Sequence, residues 1–396
     1  MERVIFHIDV NNAFLSWTAV KLLKNGYKID IRTIPSVIGG DEEKRHGIVL
    51  AKSPVAKKYG IVTAETLYQA RKKCPGLKVY PPDYNYYVEM SKKMFEYISQ
   101  YSPDVEKFSI DECFVDMSGT HYLYGNLVDL AYKIKDEIHE KFGFTVNIGI
   151  GNNKLCAKMA SDFEKPDKVH TLFNNEIEEK MWPLPINDLL FVGRKTSEKI
   201  EKMGFHTIGD VARANPQIFI KAFKSYGVEI WNRANGIDDS IVDSSTRENK
   251  SISVSWTLEK DSDDIDTIKK VLLKQTDEVG RNLRRQKMYA TVVAVTFKTY
   301  DFVSFSKQCS LPNPIKSNDE IYAAVLDILY KAWNFEKIRN IGIRLSNLTK
   351  NKIVQSDIFG ADNKSEEKEK VQTALDKIKD KYGTDIINPA SLLEKK

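Results

Sequence analysis

With 396 residues the chain is too long for one ordinary core, and 42% hydrophobic with 29% charged residues describes a globular protein rather than a disordered one. The net charge of +5 is uneven: residues 1–249 balance 34 Lys+Arg against 34 Asp+Glu, residues 250–352 carry 18 against 12, and the remainder 8 against 9. No apolar run approaches the roughly 18 residues that cross a bilayer, and the N-terminal run holds an acid and no small-residue cleavage site, so the expected compartment is the cytoplasm.

The first predicted element is a strand, Val4 to Val10, followed at Asn11-Asn12 by a helix that ends near Asn25-Gly26, a C-cap signal. Residues 31–77 read as a small basic insert rich in turns. Residues 78–82 read as a short strand stopped by prolines, and 84–101 as an amphipathic helix. The run KFSIDECFVDMSG, residues 107–119, reads as two short strands joined at Asp111-Glu112. A helix over 125–141 and a strand over 144–151 complete an antiparallel-rich sheet backed by helices, an α+β core. Residues 183–240 predict short helices broken by glycines, and 241–250 a polar linker. Residues 251–349 predict a second α+β domain of three strands with helices at 265–286 and 318–333. The stretch from Asn363 to Lys381 is charged, helix-prone and expected at the periphery.

Cys74, Cys113, Cys156 and Cys309 are widely spaced, which argues against a disulfide framework and a zinc site, and the six histidines lack ligand spacing. Three acids stand out. Asp9 ends an apolar strand, and Asp111 and Glu112 stand at the joint between two others. Carboxylates on rigid strand ends can hold two metal ions that neutralise attacking and leaving oxygens in phosphoryl transfer, and magnesium takes few protein oxygens. Taken singly, Asp-Glu is also a common hairpin turn and Asp9 a common residue before a helix.

Several separate stretches, in order, resemble the Y-family translesion DNA polymerases of the bacterial polymerase IV and UmuC type. HIDVNNAFLSW (7–17) resembles the first motif, SIDECFVD (109–116) the acidic signature, and GIGNNKLCAKMASDFEKP (149–166) the palm-to-thumb stretch. ENKSISVSWTLEKD (248–261), RRQ and KIRNIGIRLSNL resemble the little finger. The resemblance implies a multidomain right-hand polymerase of class α+β. It has a ferredoxin-like palm (1–30 and 78–170), small fingers (31–77) and a helix-hairpin-helix thumb (171–240). A linker (241–250), an α+β little finger (251–350) and a tail (351–396) follow. It implies DNA synthesis on a primer-template from deoxynucleoside triphosphates, error-tolerant and without proofreading, by a monomer.

The same resemblance implies site residues. Asp9 and Asp111 would bind two magnesium ions, for which manganese could substitute, with Glu112 on the catalytic one and the Val10 carbonyl assisting. Asn12, Ala13, Phe14, Lys57 and Lys165 would line the nucleotide, Phe14 as the gate against a 2′-hydroxyl. Ala13 stands where an aromatic is common, Pro54 where a tyrosine usually donates a hydrogen bond, and Lys57 where an arginine is usual, so the bidentate fork is lost. Gly193 and Lys195, in the hairpin stretch 189–210, would meet a DNA phosphate, although Phe191 replaces the first glycine. Arg284, Arg285 and Arg339 would contact the DNA backbone. Gln355, Ile358 and Phe359 belong to a segment resembling the peptide that docks bacterial polymerases on the sliding clamp.

Two other readings stand beside this one. Ile38-Gly39-Gly40-Asp41-Glu42 resembles the GGDEF motif of diguanylate cyclases, but it lies in the insert without acid-bearing strands at cyclase spacing and reads as a turn. A catalytically silent DNA-binding module would need only the hairpin and the basic domain, and the three acids argue against it.

Overall fold

The computed structural model describes residues 3–42, 45, 47–245, 248–351, 362–383 and 386–387. They belong to two compact units, Met1–Thr246 and Arg247–Lys396.

The first unit opens with β1 (Ile5–Val10), and Asn12 turns the chain through φ 52° into α1 (Ala13–Lys24). Asparagine tolerates this left-handed conformation better than most residues. The insert is more regular than its turn-rich sequence suggests. It contains β2 (Ser36–Gly39), β3 (Val49–Lys52), α2 (Pro54–Lys58) and α3 (Leu67–Lys73), and β4 (Lys78–Tyr80) pairs in parallel with β2. Two expectations are corrected here. The strand near residue 78 completes the three-stranded sheet of the insert (order β3-β2-β4) rather than joining the palm sheet, and Ile38-Gly39, read as part of a turn, end β2. The strands are only three or four residues long, so their periodicity was too short to register.

The palm continues with α4 (Tyr84–Ile98), β5 (Val105–Lys107), β6 (Glu112–Asp116), α5 (Leu127–Phe142), β7 (Val146–Gly151), α6 (Lys154–Asp162) and β8 (Val169–Leu172). Its sheet order is β5-β6-β1-β7-β8, antiparallel except for β7 against β8. Without β8 this is the ferredoxin-like split β-α-β plan. Trp17, Tyr87, Met94, Ile134 and Phe144 are fully or almost fully buried between α1, α4 and α5 and the sheet. On β7, a Cβ added to Gly149 would lie 2.0 Å from the Ala157 carbonyl oxygen, so glycine is what lets α6 lie directly on the strand.

A helical region follows, with α7 (Arg194–Lys202), α8 (Ile208–Arg213), α9 (Pro216–Phe223) and α10 (Ser225–Ala234) around Ile200, Ile208, Phe219 and Ile230.

The second unit comprises β9 (Ser251–Ser262), α11 (Ile265–Arg285), β10 (Tyr289–Thr299), β11 (Ser304–Ile315), α12 (Asn318–Ala332), β12 (Ile338–Thr349) and α13 (Asp362–Tyr382). The sheet order is β11-β10-β12-β9. The strand β11 was missing from the expectation of three. It is polar and holds Pro312 and Pro314, which an edge strand accommodates because one side needs no ladder donors. Helix α13 is also not peripheral: Arg284 donates to both Asp376 oxygens (2.6 and 2.9 Å), and the nearly buried Lys379 donates to Asp277 at 2.6 Å. The four cysteines are free. No helix among the described residues is long and apolar enough to cross a membrane.

Candidate active site

Asp9 and Glu112 are direct cross-strand partners of β1 and β6, and opposite residues in an antiparallel pair project to the same face. Asp111 lies in the link just before β6. Its carbonyl accepts from the Val10 amide at 3.0 Å, and its carboxylate accepts from the Ser109 hydroxyl at 2.6 Å. The structure thus gathers on two adjacent strand ends the three acids that lie a hundred residues apart in the chain.

Each outer acid already attracts a cation. Lys165 bonds to Asp9 and also pairs with Asp162 at 2.7 Å. Lys158 bonds to Glu112, and the fully buried His7 lies with Nε2 3.0 Å from the same Glu112 oxygen and Nδ1 2.8 Å from the Ser161 hydroxyl. Burial pushes the Asp9 carboxyl above its ordinary value; Lys165 pulls the other way, and the Asp111 charge adds to the rise. Burial would also raise Glu112, but His7 and Lys158 outweigh it and hold the carboxyl down at about 2. Burial lowers His7. For Lys165 burial works downward too, and the carboxylates of Asp9 and Asp162 override it and raise the ammonium.

The loop that presents Lys165 is clamped to the sheet. Asn147 donates to the carbonyls of Ser161 (2.9 Å) and Glu164 (2.7 Å), and the Asn11 side-chain oxygen accepts from the Asp167 amide at 2.8 Å. Among the described residues no three acid, histidine or cysteine side chains close as a preformed metal cage. The donor set nevertheless fits a hard divalent cation: oxygen only, few ligands, and two carboxylates that each draw positive charge.

The other expected residues are dispersed around this centre. Val10 and Ala13 are buried. Asn12 donates to the Lys52 carbonyl at 2.7 Å, tying the first strand-to-helix turn to the insert. Phe14 is half-buried and stacks on Tyr87, with centroids 4.7 Å apart and planes at 9°. Lys57 is exposed on α2, where Pro54 occupies the first turn behind the Ser53 cap, a position that suits proline. Gly193 is the N-cap of α7, and Lys195 is exposed in its first turn.

In the second unit the arginines divide. Arg284 is corrected as an open DNA-backbone contact. Its side chain is 5% exposed, and it donates to Asp376, Gln372, Asn318 and the Lys316 carbonyl, because the last turn of α11 faces α13. Arg285 is half-exposed and pairs with Asp380; Arg339 stacks over Phe302 at 4.6 Å. Gln355, Ile358 and Phe359 lie outside the described residues.

Sequence reasoning missed His7, Lys158 and Ser161. The period of two in a strand puts His7 on the face of Asp9, and Lys158 and Ser161 fall within the quoted stretch 149–166. Those were the available signals.

A ferredoxin-like palm with carboxylates at its strand ends, followed by a helix-hairpin-helix region, is the architecture of a template-directed polymerase. Family models match residues 8–162 (impB/mucB/samB family), 174–205 (IMS family HHH motif) and 249–358 (impB/mucB/samB family C-terminal domain). The chain is 45% identical to DNA polymerase IV of Clostridium acetobutylicum over 100% of this chain and 99% of that one. It is 34% identical to DNA polymerase IV 2 of Bacillus subtilis over 99% and 95%. A solved Y-family DNA polymerase chimera superposes with a TM-score of 0.75 at 22% identity, covering 88% of this chain and all of the other, and supports the fold. The chain belongs to the impB/mucB/samB family of Y-family DNA polymerases.

Proposed function

We infer that the protein is a DNA-directed DNA polymerase that extends a primer on a template from deoxynucleoside triphosphates, tolerating errors and lesions and lacking proofreading. The primer 3′-hydroxyl attacks the α-phosphate, and pyrophosphate leaves. The convergence of Asp9, Asp111 and Glu112 on adjacent strand ends, each outer acid drawing a lysine, carries this reading.

Two magnesium ions, or manganese in their place, would be held by the three acids and the Val10 carbonyl, and would supply charge neutralisation on the attacking and leaving oxygens. The chain's own residues do the positioning. His7 and Lys158 hold the Glu112 carboxylate ionised and fixed. Lys165, already beside Asp9, is placed to move onto the triphosphate, with Lys57 on the insert as a second phosphate cation. Asn12 and Ala13 shape the turn beneath the nucleotide, and Phe14, backed by Tyr87, closes the space a 2′-hydroxyl would need.

DNA is met through its phosphates by the α7 N-terminus with Gly193 and Lys195, and in the second unit by Arg285 and Arg339. The open face of the second sheet joins them, with Ser251, Ser253, Ser255, Ser306 and Ser310 around Arg344. Gln355–Phe359 docks the polymerase on a sliding clamp. The protein works as a monomer in the cytoplasm. Primer extension with and without magnesium tests the central reading: a metal-dependent ladder of products is expected. DNA binding without extension would instead support a silent DNA-binding module.

A further inference from the structure

Phe191 occupies the hairpin position where a glycine is usual, and its backbone is left-handed, with φ 67°. A bulky side chain adopts this conformation only under strain, and such strain persists where neighbours fix it. Here the Tyr226 hydroxyl donates to the Phe191 carbonyl at 2.6 Å, and the Val192 amide donates to Leu189 at 2.9 Å. The ring gains little burial in return, remaining 57% exposed. The Arg233 guanidinium lies 4.9 Å from its centroid and supports one face.

Beside the ring is a hollow of about 240 Å³, lined among others by Phe108, Phe114, Lys154, Arg233 and Ile237. Phe108 and Ile237 are 42% and 46% exposed, so three large apolar side chains stand open around one hollow. The Arg233 Nη1 is buried there without a hydrogen-bond partner. One wall of the hollow approaches the acids: the ring of Phe108 has the Lys158 ammonium 5.3 Å from its centroid, and Lys158 bonds to Glu112. The exposed Arg194 and Lys195 open α7 three and four residues after Phe191.

We propose that Phe191 is a duplex-binding residue whose ring packs against a deoxyribose of the primer strand, between the α7 N-terminus and the catalytic acids. A nucleic-acid backbone alternates an apolar sugar edge with an anionic phosphate. The site offers the same two chemistries: the exposed rings of Phe108 and Phe191, with Lys158 and Arg233 against them, and the exposed cations Arg194 and Lys195 at the start of α7. Contact to sugar reads no sequence, as a polymerase that must follow any primer requires. A side chain at the glycine position thus adds grip where the hairpin alone offers backbone amides. This inference rests on the proposed DNA synthesis.

The test measures the dissociation constant of a labelled primer-template duplex, and the melting temperature, for the full chain and for Phe191→Gly, Phe191→Asn and Phe191→Tyr. Glycine and asparagine both accept the left-handed backbone but lack the ring. Both should bind about tenfold more weakly, with melting temperatures equal to or above that of the unsubstituted chain, while Phe191→Tyr stays within about twofold of it. Three results overturn the proposal: normal binding by both ringless variants, weak binding by the glycine variant alone (a loosened hairpin), or weakened binding together with a fall in melting temperature. If the unsubstituted chain itself fails to bind the duplex, the polymerase reading falls, and this inference with it.

Discussion

The palm sheet of the first unit is made of strands three to six residues long, whereas the four strands of the second unit run eleven or twelve. In the palm, β7 is buried along its whole length and β1 along all but Asp9, and the chemistry is confined to strand ends. In the second unit one face is core, with Ile252, Val254, Val293, Val295, Ile341 and Ile343. The other is a field of small polar side chains: Ser251, Ser253 and Ser255 on β9, and Ser304, Ser306 and Ser310 on β11. A catalytic centre needs a few charges held rigidly, and double-sided burial of short strands supplies that. Holding a duplex whose sequence varies needs area without base reading, and a long half-open sheet would supply that.

The sharpest way to break this contrast is to remove one rigid charge. Asp111→Ala should lower extension in magnesium by about a thousandfold or more, while primer-template affinity stays near that of the unsubstituted chain. On the proposed reading, binding would rest on phosphate contacts elsewhere. Substantial extension by this variant, read in a single-turnover assay, would remove Asp111 from the site.

The contrast also explains what was legible in the sequence. Asp9, Asp111 and Glu112 stood out because acids at the ends of apolar strands contrast with their neighbours in the sequence itself. The Glu112 supports did not: His7 reads as one more residue of an apolar strand, and its pairing with Ser161 spans 154 positions. In the second unit β9 and β12 alternate clearly, but β11, an edge strand with two prolines, does not. The partner of Arg284 could not be foreseen either. Nothing local indicates that an acid in a distant helix, Asp376, will bury it.

A second test stays within the palm. Phe14→Ala should raise incorporation of ribonucleotides relative to deoxynucleotides by about a hundredfold, as removal of a steric block does when a hydroxyl-sized void opens. The ring is backed by Tyr87 rather than by solvent, so it has little freedom to yield to a 2′-hydroxyl. An unchanged sugar preference would return Phe14 to a packing role.

A third test concerns neither sheet. Replacing Ile358 and Phe359 by alanine together should shorten the products made with a loaded clamp by about tenfold, since truncating an aromatic anchor costs about 2 kcal/mol or more. Clamp-free extension and melting temperature should be unchanged. A lower melting temperature with normal clamp stimulation would mean that the two side chains pack on the polymerase itself.

The smallest effect should come from the open sheet face, and it discriminates most finely. Arg344 is exposed on β12, opposite Ser253 on β9 and Ala294 on β10, among side chains too short to shield it. If this face lies along phosphates, Arg344→Ser removes one counterion-releasing contact. The slope of log affinity against log salt should then flatten by about 0.9, with affinity falling about threefold near physiological salt. The loss should be the same for duplexes of different sequence, because a phosphate contact carries no base information. Extension at saturating duplex should be untouched, since Arg344 belongs to a different unit from the acids. A serine here continues the hydroxyl row, so the sheet should keep its stability, and a titration over several salt concentrations isolates the charge. An unchanged slope would mean that the second sheet meets the duplex elsewhere. A loss confined to some sequences would mean that this face reads bases, contrary to the division between a rigid catalytic sheet and a sequence-tolerant one.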